Sequence, residues 1–150
     1  MPLRDYFRPG SVNLHLEGAT ADQTLNELVG LLQLDPAEGE SIYRIVKRRE
    51  DLGSTGVGRG IAIPHGRCTG VNHLRMAFGR RPGGVEFRAI DGKPVTTFFL
   101  IVAPPVETSN LYLPVLGKVA QFIKESDVPD RLLQIQSPEE FFALLEEKGV

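Results

Sequence analysis

One histidine in this sequence stands where chemistry is easily done. His65 follows the apolar step Ile61-Ala62-Ile63 and sits between Pro64 and Gly66, and before it runs Gly53-Ser54-Thr55-Gly56-Val57-Gly58-Arg59-Gly60. A neutral imidazole keeps a free lone pair on one ring nitrogen, and with an ordinary pKa near ~6.5 it is largely unprotonated at neutral pH. Attack of that lone pair on phosphorus gives a phosphohistidine, a covalent intermediate. Pro64 disfavours helical geometry at Ile63, so the imidazole is presented at a strand end. Gly66 lets backbone or a partner approach closely. The amides of Gly56 and Gly58 and the hydroxyls of Ser54 and Thr55 can line a small anion-binding concavity. Arg49 can offer a charge-assisted, two-pronged contact to a developing phosphoryl charge.

Two other readings of the glycine run fail on spacing. A Walker A loop needs Lys and Ser/Thr after its last glycine, but Arg59 and Gly60 follow Gly58. The run also leads from a helical pattern into an extended one, the reverse of strand-loop-helix. Gly56, Gly58 and Gly60 are spaced Gly-x-Gly-x-Gly, which is no dinucleotide fingerprint. His65, Cys68 and His73 match no zinc-site spacing and lack a fourth ligand, so no metal and no cofactor are expected. On local chemistry alone, a glycine-rich loop with one partly buried histidine is the plain alternative.

The elements that must position these residues follow from periodicity. "SVNLHLE" alternates Val12, Leu14 and Leu16 with Asn13 and His15, as a half-buried strand does. In "TADQTLNELVGLLQL" Thr20 and Gln23 form a capping box ahead of Leu25, Leu28, Val29 and Leu32 at helical spacing. "ESIYRIVKRREDL" repeats the helical pattern with Ile42, Ile45 and Val46 and ends at Gly53. Lys47-Arg48-Arg49 lies at that helix end with Glu50 and Asp51 directly after it, which reads as a solvated face carrying one functional arginine.

From Leu74 the period shortens. "LRMAFGR", "VEFRAI" and "VTTFFLIVA" read as strands joined by turns at Arg81–Gly84 and Asp91–Pro94, the last strand buried on both faces. After "PPVETSN" two or three helices follow, and the final one opens with Ser137 as N-cap, Pro138 and Glu140. Helices flank the strands at both ends, so the expected fold is α/β: a single domain, residues 1–150, with a mixed sheet flanked by helices.

Bulk properties bound the function. A chain of 150 residues is about one domain with room for a real core, and 41% apolar and 24% charged residues are ordinary for a globular protein. A net charge of -2 gives no general field for gripping nucleic acid. Cys68 is the single cysteine, and neither a signal-peptide core nor an apolar stretch of membrane-spanning length occurs. No nucleic-acid or membrane partner is expected, and the location expected is cytoplasmic. His15 and His73 read as surface residues, and Cys68 as a small buried hydrophobe.

The segment Arg49–Arg67, "REDLGSTGVGRGIAIPHGR", resembles the phosphorylation-site signature of the IIA proteins of the phosphoenolpyruvate-dependent phosphotransferase system, fructose/mannitol type, and within it the nitrogen-regulatory branch. "VEFRAIDGKPVTTFFLIVAP", Val85–Pro104, is similar to the family's second block, so the resemblance covers essentially the whole chain. It implies a phosphocarrier with a mixed sheet flanked by helices. His65 would take a phosphoryl group from a histidine-phosphorylated carrier of the HPr or NPr type, phosphoenolpyruvate being the original donor, and Arg49 would lie at the site. The family pattern also has a second histidine at the start of the helix after the last central strand. Counting back from Leu116, Val119 and Ala120 puts Tyr112 there, or Asn110 with a slip in the loop. A tyrosine can donate a hydrogen bond to a phosphoryl oxygen but cannot become a cation. This chain carries no IIB-like or membrane IIC segment, from which a stand-alone regulator of protein targets is expected. The alternatives are a sugar-specific IIA component that passes phosphate to a IIB protein, and a IIA-like binding module without phosphotransfer.

Overall fold

The apolar stretch from Val95 to Ala103 is the axis of the molecule. In the computed structural model, which describes residues 1–106 and 109–150, it is the central strand of one six-stranded sheet. The elements are β1 (Val12–Asn13), α1 (Ala21–Gly30), α2 (Pro36–Leu52), β2 (Gly56–Gly58), β3 (Ile61–Ala62), β4 (His65–Arg67), β5 (Arg75–Val85), β6 (Val95–Ala103), α3 (Tyr112–Ile123), α4 (Val128–Gln134) and α5 (Pro138–Glu147), preceded by a 3-10 turn at Leu3–Tyr6. The strand order is β1-β5-β6-β3-β2, with β4 also paired to β6. β5 runs antiparallel to β6, while β3 and β4 run parallel to it, so the sheet is mixed.

β6 reads as continuously apolar because each face of it meets a different helical layer. Phe98, Leu100 and Val102 pack with Leu25, Leu28, Ile42 and Val46 of α1 and α2. Phe99, Ile101 and Ala103 pack with Val119, Phe122, Leu132 and Phe141 of α3, α4 and α5. Both expected caps form: Thr20 Oγ1 accepts from Gln23 N at 3.2 Å, and Ser137 Oγ accepts from Glu140 N at 3.2 Å. The predicted capping box closes one residue early, with Gln23 Oε1 accepting from Ala19 N at 2.8 Å.

Three expectations are corrected. The alternation in "SVNLHLE" is a strand only at Val12–Asn13, because Asn13 Oδ1 accepts from His15 N at 2.8 Å and bends the chain. Leu14 then enters the layer with α3 and Leu16 the layer with α1, so the two leucines lie on opposite sides of the sheet. Arg81–Gly84 is no turn between strands. Gly83 and Gly84, at φ +84° and +77°, form a bulge within β5, and the ladder to β6 slips between Arg80 and Val85. "VEFRAI" is consequently no separate strand: Val85 ends β5, and the following backbone is turned by Arg88, at φ 51°, whose N–H is held by Glu86 Oε1 at 2.8 Å. The turn at Asp91–Pro94 and the three C-terminal helices are as expected, except that Glu107 and Thr108 of "PPVETSN" lie outside the described residues. Among the described residues no helix is long and apolar enough to cross a membrane.

Buried arginines fasten the layers. Arg80 is only 9% exposed and donates to the carbonyls of Leu132, Leu133 and Ile135 at 3.0, 3.1 and 2.7 Å, at the end of α4 where helix carbonyls lack partners. Replacing Arg80 by methionine leaves these acceptors without a donor. We expect Arg80→Met to lower stability in urea unfolding by about 2–3 kcal/mol with the fold retained. A change below about 0.5 kcal/mol, the size typical of indifferent surface positions, would contradict the fastening role.

Candidate functional site

The register of β4 against β6 sets the site. β3 and β4 run in line along one side of β6, Ala62 opposite Phe98 and His65 opposite Ile101. Between them Pro64 has no N–H to give the ladder, although its carbonyl accepts from Ile101 N at 3.0 Å. Residues two apart on a strand share a face, so His65 and Arg67 point to the side of α3 while Gly66 points to α2. A Cβ on Gly66 would stand 2.9 Å from Ile45 Cγ2. Glycine there lets α2 lie against the strand.

That close approach brings one face of α2 over His65. Ile45, Arg48, Arg49 and Leu52, spaced i, i+3, i+4 and i+7, line a shallow groove of about 380 Å³ together with His65, Gly66, Arg67 and Tyr112. Among the described residues that line it, three are arginines and none is acidic. The groove is a positively charged, partly desolvated setting of the kind that stabilises phosphoryl oxygens.

His65 Nδ1 lies 2.7 Å from the carbonyl oxygen of Ile63. A carbonyl only accepts, so Nδ1 carries the proton and Nε2 carries the lone pair. Burial pulls the His65 pKa below its usual value, the bond to Ile63 opposes that, and the neighbouring Arg49 adds to the lowering. The ring is therefore neutral at pH 7, with its tautomer fixed by the strand that presents it. Arg49 Nη1 donates to the carbonyl of Gly53 at 2.7 Å, tying the guanidinium to the end of its own helix. Tyr112 opens α3, and its ring centroid is 5.8 Å from that of His65. Burial raises the Tyr112 pKa against the opposing influence of Arg67 and Arg49, and the phenol stays protonated.

The glycine run lies beside the groove and not in its lining. Ser54 Oγ donates to the carbonyl of Phe87 at 2.6 Å and accepts from Gly56 N at 3.0 Å. Thr55 donates through N, at 3.0 Å, and through Oγ1 to the carboxylate of Glu50. Gly56 and Gly58 belong to β2, which pairs with β3 as a tight hairpin; a Cβ on Gly56 would come within 2.9 Å of Ala89 Cα. Arg59 and Gly60, at φ 60° and 78°, make the hairpin turn, and Arg59 reaches across to the carbonyls of Ile123 and Ser126 at 3.0 and 3.2 Å. The residue at the Walker-lysine position thus caps α3. Pro64 and Gly66 are where the strand breaks and where α2 is admitted.

Sequence reasoning passed over Arg48, Ile45 and Arg67 as groove residues, and Glu50 as a buried anchor. The signals were present: Arg67 is two residues from His65 on a strand, and 45, 48, 49 and 52 share a helix face. Glu50 is 9% exposed, and its burial raises its pKa against the bonds from Thr55 and the nearby Arg49 and Arg88. His15 and His73 are exposed and Cys68 is buried. Among the described residues no group of three or more histidines, cysteines and carboxylates is placed to hold a metal.

Residues 5–148 match the family described as "Phosphoenolpyruvate-dependent sugar phosphotransferase system, EIIA 2". The chain is 30% identical over 145 residues to a nitrogen regulatory protein of Pseudomonas aeruginosa, covering 95% of this chain and 94% of that one. It is 27% identical over 146 residues to a nitrogen regulatory protein of Bradyrhizobium diazoefficiens, covering 97% and 95%. The crystal structure of nitrogen regulatory protein IIA-Ntr from Neisseria meningitidis superposes with a TM-score of 0.84 at 32% identity, covering 94% of this chain and 97% of that one.

The tautomer and burial of His65 have a direct consequence. In an NMR titration of the imidazole, the His65 midpoint is expected below 6.5, the ordinary histidine value. A midpoint at or above that value would mean that the ring is not desolvated as described.

Proposed function

The chain belongs to the EIIA 2 family of the phosphoenolpyruvate-dependent sugar phosphotransferase system, and from that premise we propose that it is a phosphocarrier. His65 takes a phosphoryl group from a histidine-phosphorylated carrier of the HPr or NPr type, and the protein acts as a regulator of the nitrogen-regulatory kind. The observation that carries the proposal is the fixed tautomer of His65. Its Nδ1 proton is held by Ile63, so Nε2 is the nucleophile in a groove walled by arginines.

The step balances without outside acid or base. The Nε2 lone pair attacks phosphorus as the donor's P–N bond breaks, and a donor ring protonated on its other nitrogen leaves as neutral imidazole. The Nδ1 proton of His65 stays in place, and the positive charge gained by the ring is met by the Ile63 carbonyl and the new phosphoryl anion. Arg49 stands beside this charge from α2. Such transfer depends on positioning and electrostatics more than on covalent chemistry by the protein.

Regulation follows from the same charge. A phosphoryl group adds about -1.5 to -2 at neutral pH, in a groove whose lining includes exposed Leu52, 82% accessible. That change alters which partner surface can settle on the groove. The two relatives reported above are both named nitrogen regulatory protein, which supports a regulator. A second reading, onward transfer to a IIB protein, would have to proceed with Tyr112, which cannot itself become a cation, beside His65 in place of the family pattern's second histidine.

Incubation with phosphoenolpyruvate, enzyme I and a cognate HPr-type or NPr-type carrier is expected to add one phosphoryl group, read by intact-mass spectrometry at alkaline pH. The gain should be acid-labile and absent from folded His65→Ala. An unmodified wild-type protein would leave the binding module as the better account, and a labelled His65→Ala would move the acceptor elsewhere.

A further inference from the structure

We propose that Arg67, held against the ring of Tyr112, supplies the second cation at the phosphoryl group of His65. This rests on the phosphocarrier reading above and names a residue which that reading does not assign. Four observations carry it. Arg67 is two residues from His65 on β4, so both side chains leave the same face of the strand, about 7 Å apart at the backbone. Both line the groove. The Arg67 guanidinium carbon lies 4.5 Å from the Tyr112 ring centroid, a cation–π contact, and that ring is 5.8 Å from the His65 ring. Arg67 Nη1 donates to the carbonyl of Pro104 at 2.8 Å and more weakly to that of Ser109 at 3.5 Å.

These contacts hold the guanidinium without neutralising it. A ring face and neutral carbonyls leave its charge intact, and no ion pair to Arg67 occurs among the described residues. Nη1 is anchored, while Nε and Nη2 have no protein acceptor among the described residues. That edge of the fork suits two phosphoryl oxygens. Arg49 approaches from α2 and Arg67 from β4, so the two cations flank the acceptor from different elements. Tyr112 is then a positioning residue: its ring holds the guanidinium, and its hydroxyl is not the group that answers the charge. An arginine stays cationic at all working pH, so the phosphorylated state needs no proton uptake at position 112.

The test compares wild type with Arg67→Lys, Arg67→Gln, Arg67→Ala, Tyr112→Phe and Tyr112→Leu. It reads the initial rate of His65 phosphorylation, the lifetime of the phosphohistidine by ³¹P NMR, and thermal stability. Each rate is measured with the phosphorylated carrier and with phosphoramidate, a small donor with no docking surface. Glutamine can keep a donor to the Pro104 carbonyl while removing the charge. Arg67→Gln and Arg67→Ala are expected to slow acceptance on the order of a hundredfold with both donors, and Arg67→Lys less. Tyr112→Phe, which keeps the ring face, should rescue most of the rate that Tyr112→Leu loses. Full activity in Arg67→Gln would overturn the proposal and leave Arg67 a loop anchor. A loss seen with the carrier alone would overturn it in favour of docking, and Tyr112→Phe as slow as Tyr112→Leu would assign the role to the hydroxyl. A wild type that accepts phosphate from neither donor would refute the phosphocarrier reading itself, a result distinct from each of these.

Discussion

The parallel pairing of His65–Arg67 with Ile101–Ala103 is the contact on which the site depends. Ile101 and Ala103 are buried in the layer with α3, so the partners paired with them, His65 and Arg67, must face that side, and Gly66 must face α2. A slip of one residue would send both functional side chains to the other face of the sheet. The register is protected by β6, whose side chains fill two different cores and have no alternative placement. Pro64 contributes by keeping Ile63 extended, and the Ile63 carbonyl holds Nδ1.

The groove joins two opposing demands. A nucleophilic histidine must be unprotonated, which burial and the nearby Arg49 promote. The phosphoryl group that the proposed function would place on it must meet positive charge, which the groove arginines provide. Arg49 serves both demands: it disfavours imidazolium and would favour the phosphoryl charge of the proposed transfer. The Ile63 carbonyl tempers the first effect and orients the ring.

The remaining polar machinery is scaffolding around this pair. Glu50 fixes Thr55, Ser54 fixes Phe87, Arg59 caps α3 and Arg80 caps α4, so groups buried in or between layers find partners. The glycines of the hairpin serve the same packing, since Gly56 is crowded by Ala89 and the Arg59-Gly60 turn needs positive φ. Residues that look in sequence like a phosphate cradle thereby hold the groove's neighbours in place.

The sequence by itself determined most of the elements and singled out the residue proposed as acceptor: the capping residues Thr20 and Ser137, the helical periodicity ending at Gly53, the two-sided apolar strand at Val95–Ala103, and the Pro-His-Gly step. These are local signals, written in residue type and spacing over a few turns or one strand. It misjudged "VEFRAI" and "SVNLHLE", where a bulge at Gly83–Gly84 and a bend at Asn13 broke an alternation that looked regular. Tertiary structure alone decided which polar groups meet beyond the helix caps. The Ser54 and Thr55 hydroxyls were drawn to Phe87 and Glu50, and Arg67 was laid on Tyr112 across 45 positions of chain. The physical reason is that a hydrogen bond or a ring contact is chosen by proximity after packing, and proximity between β4 and α3 is fixed by the sheet register, which no spacing along the chain encodes.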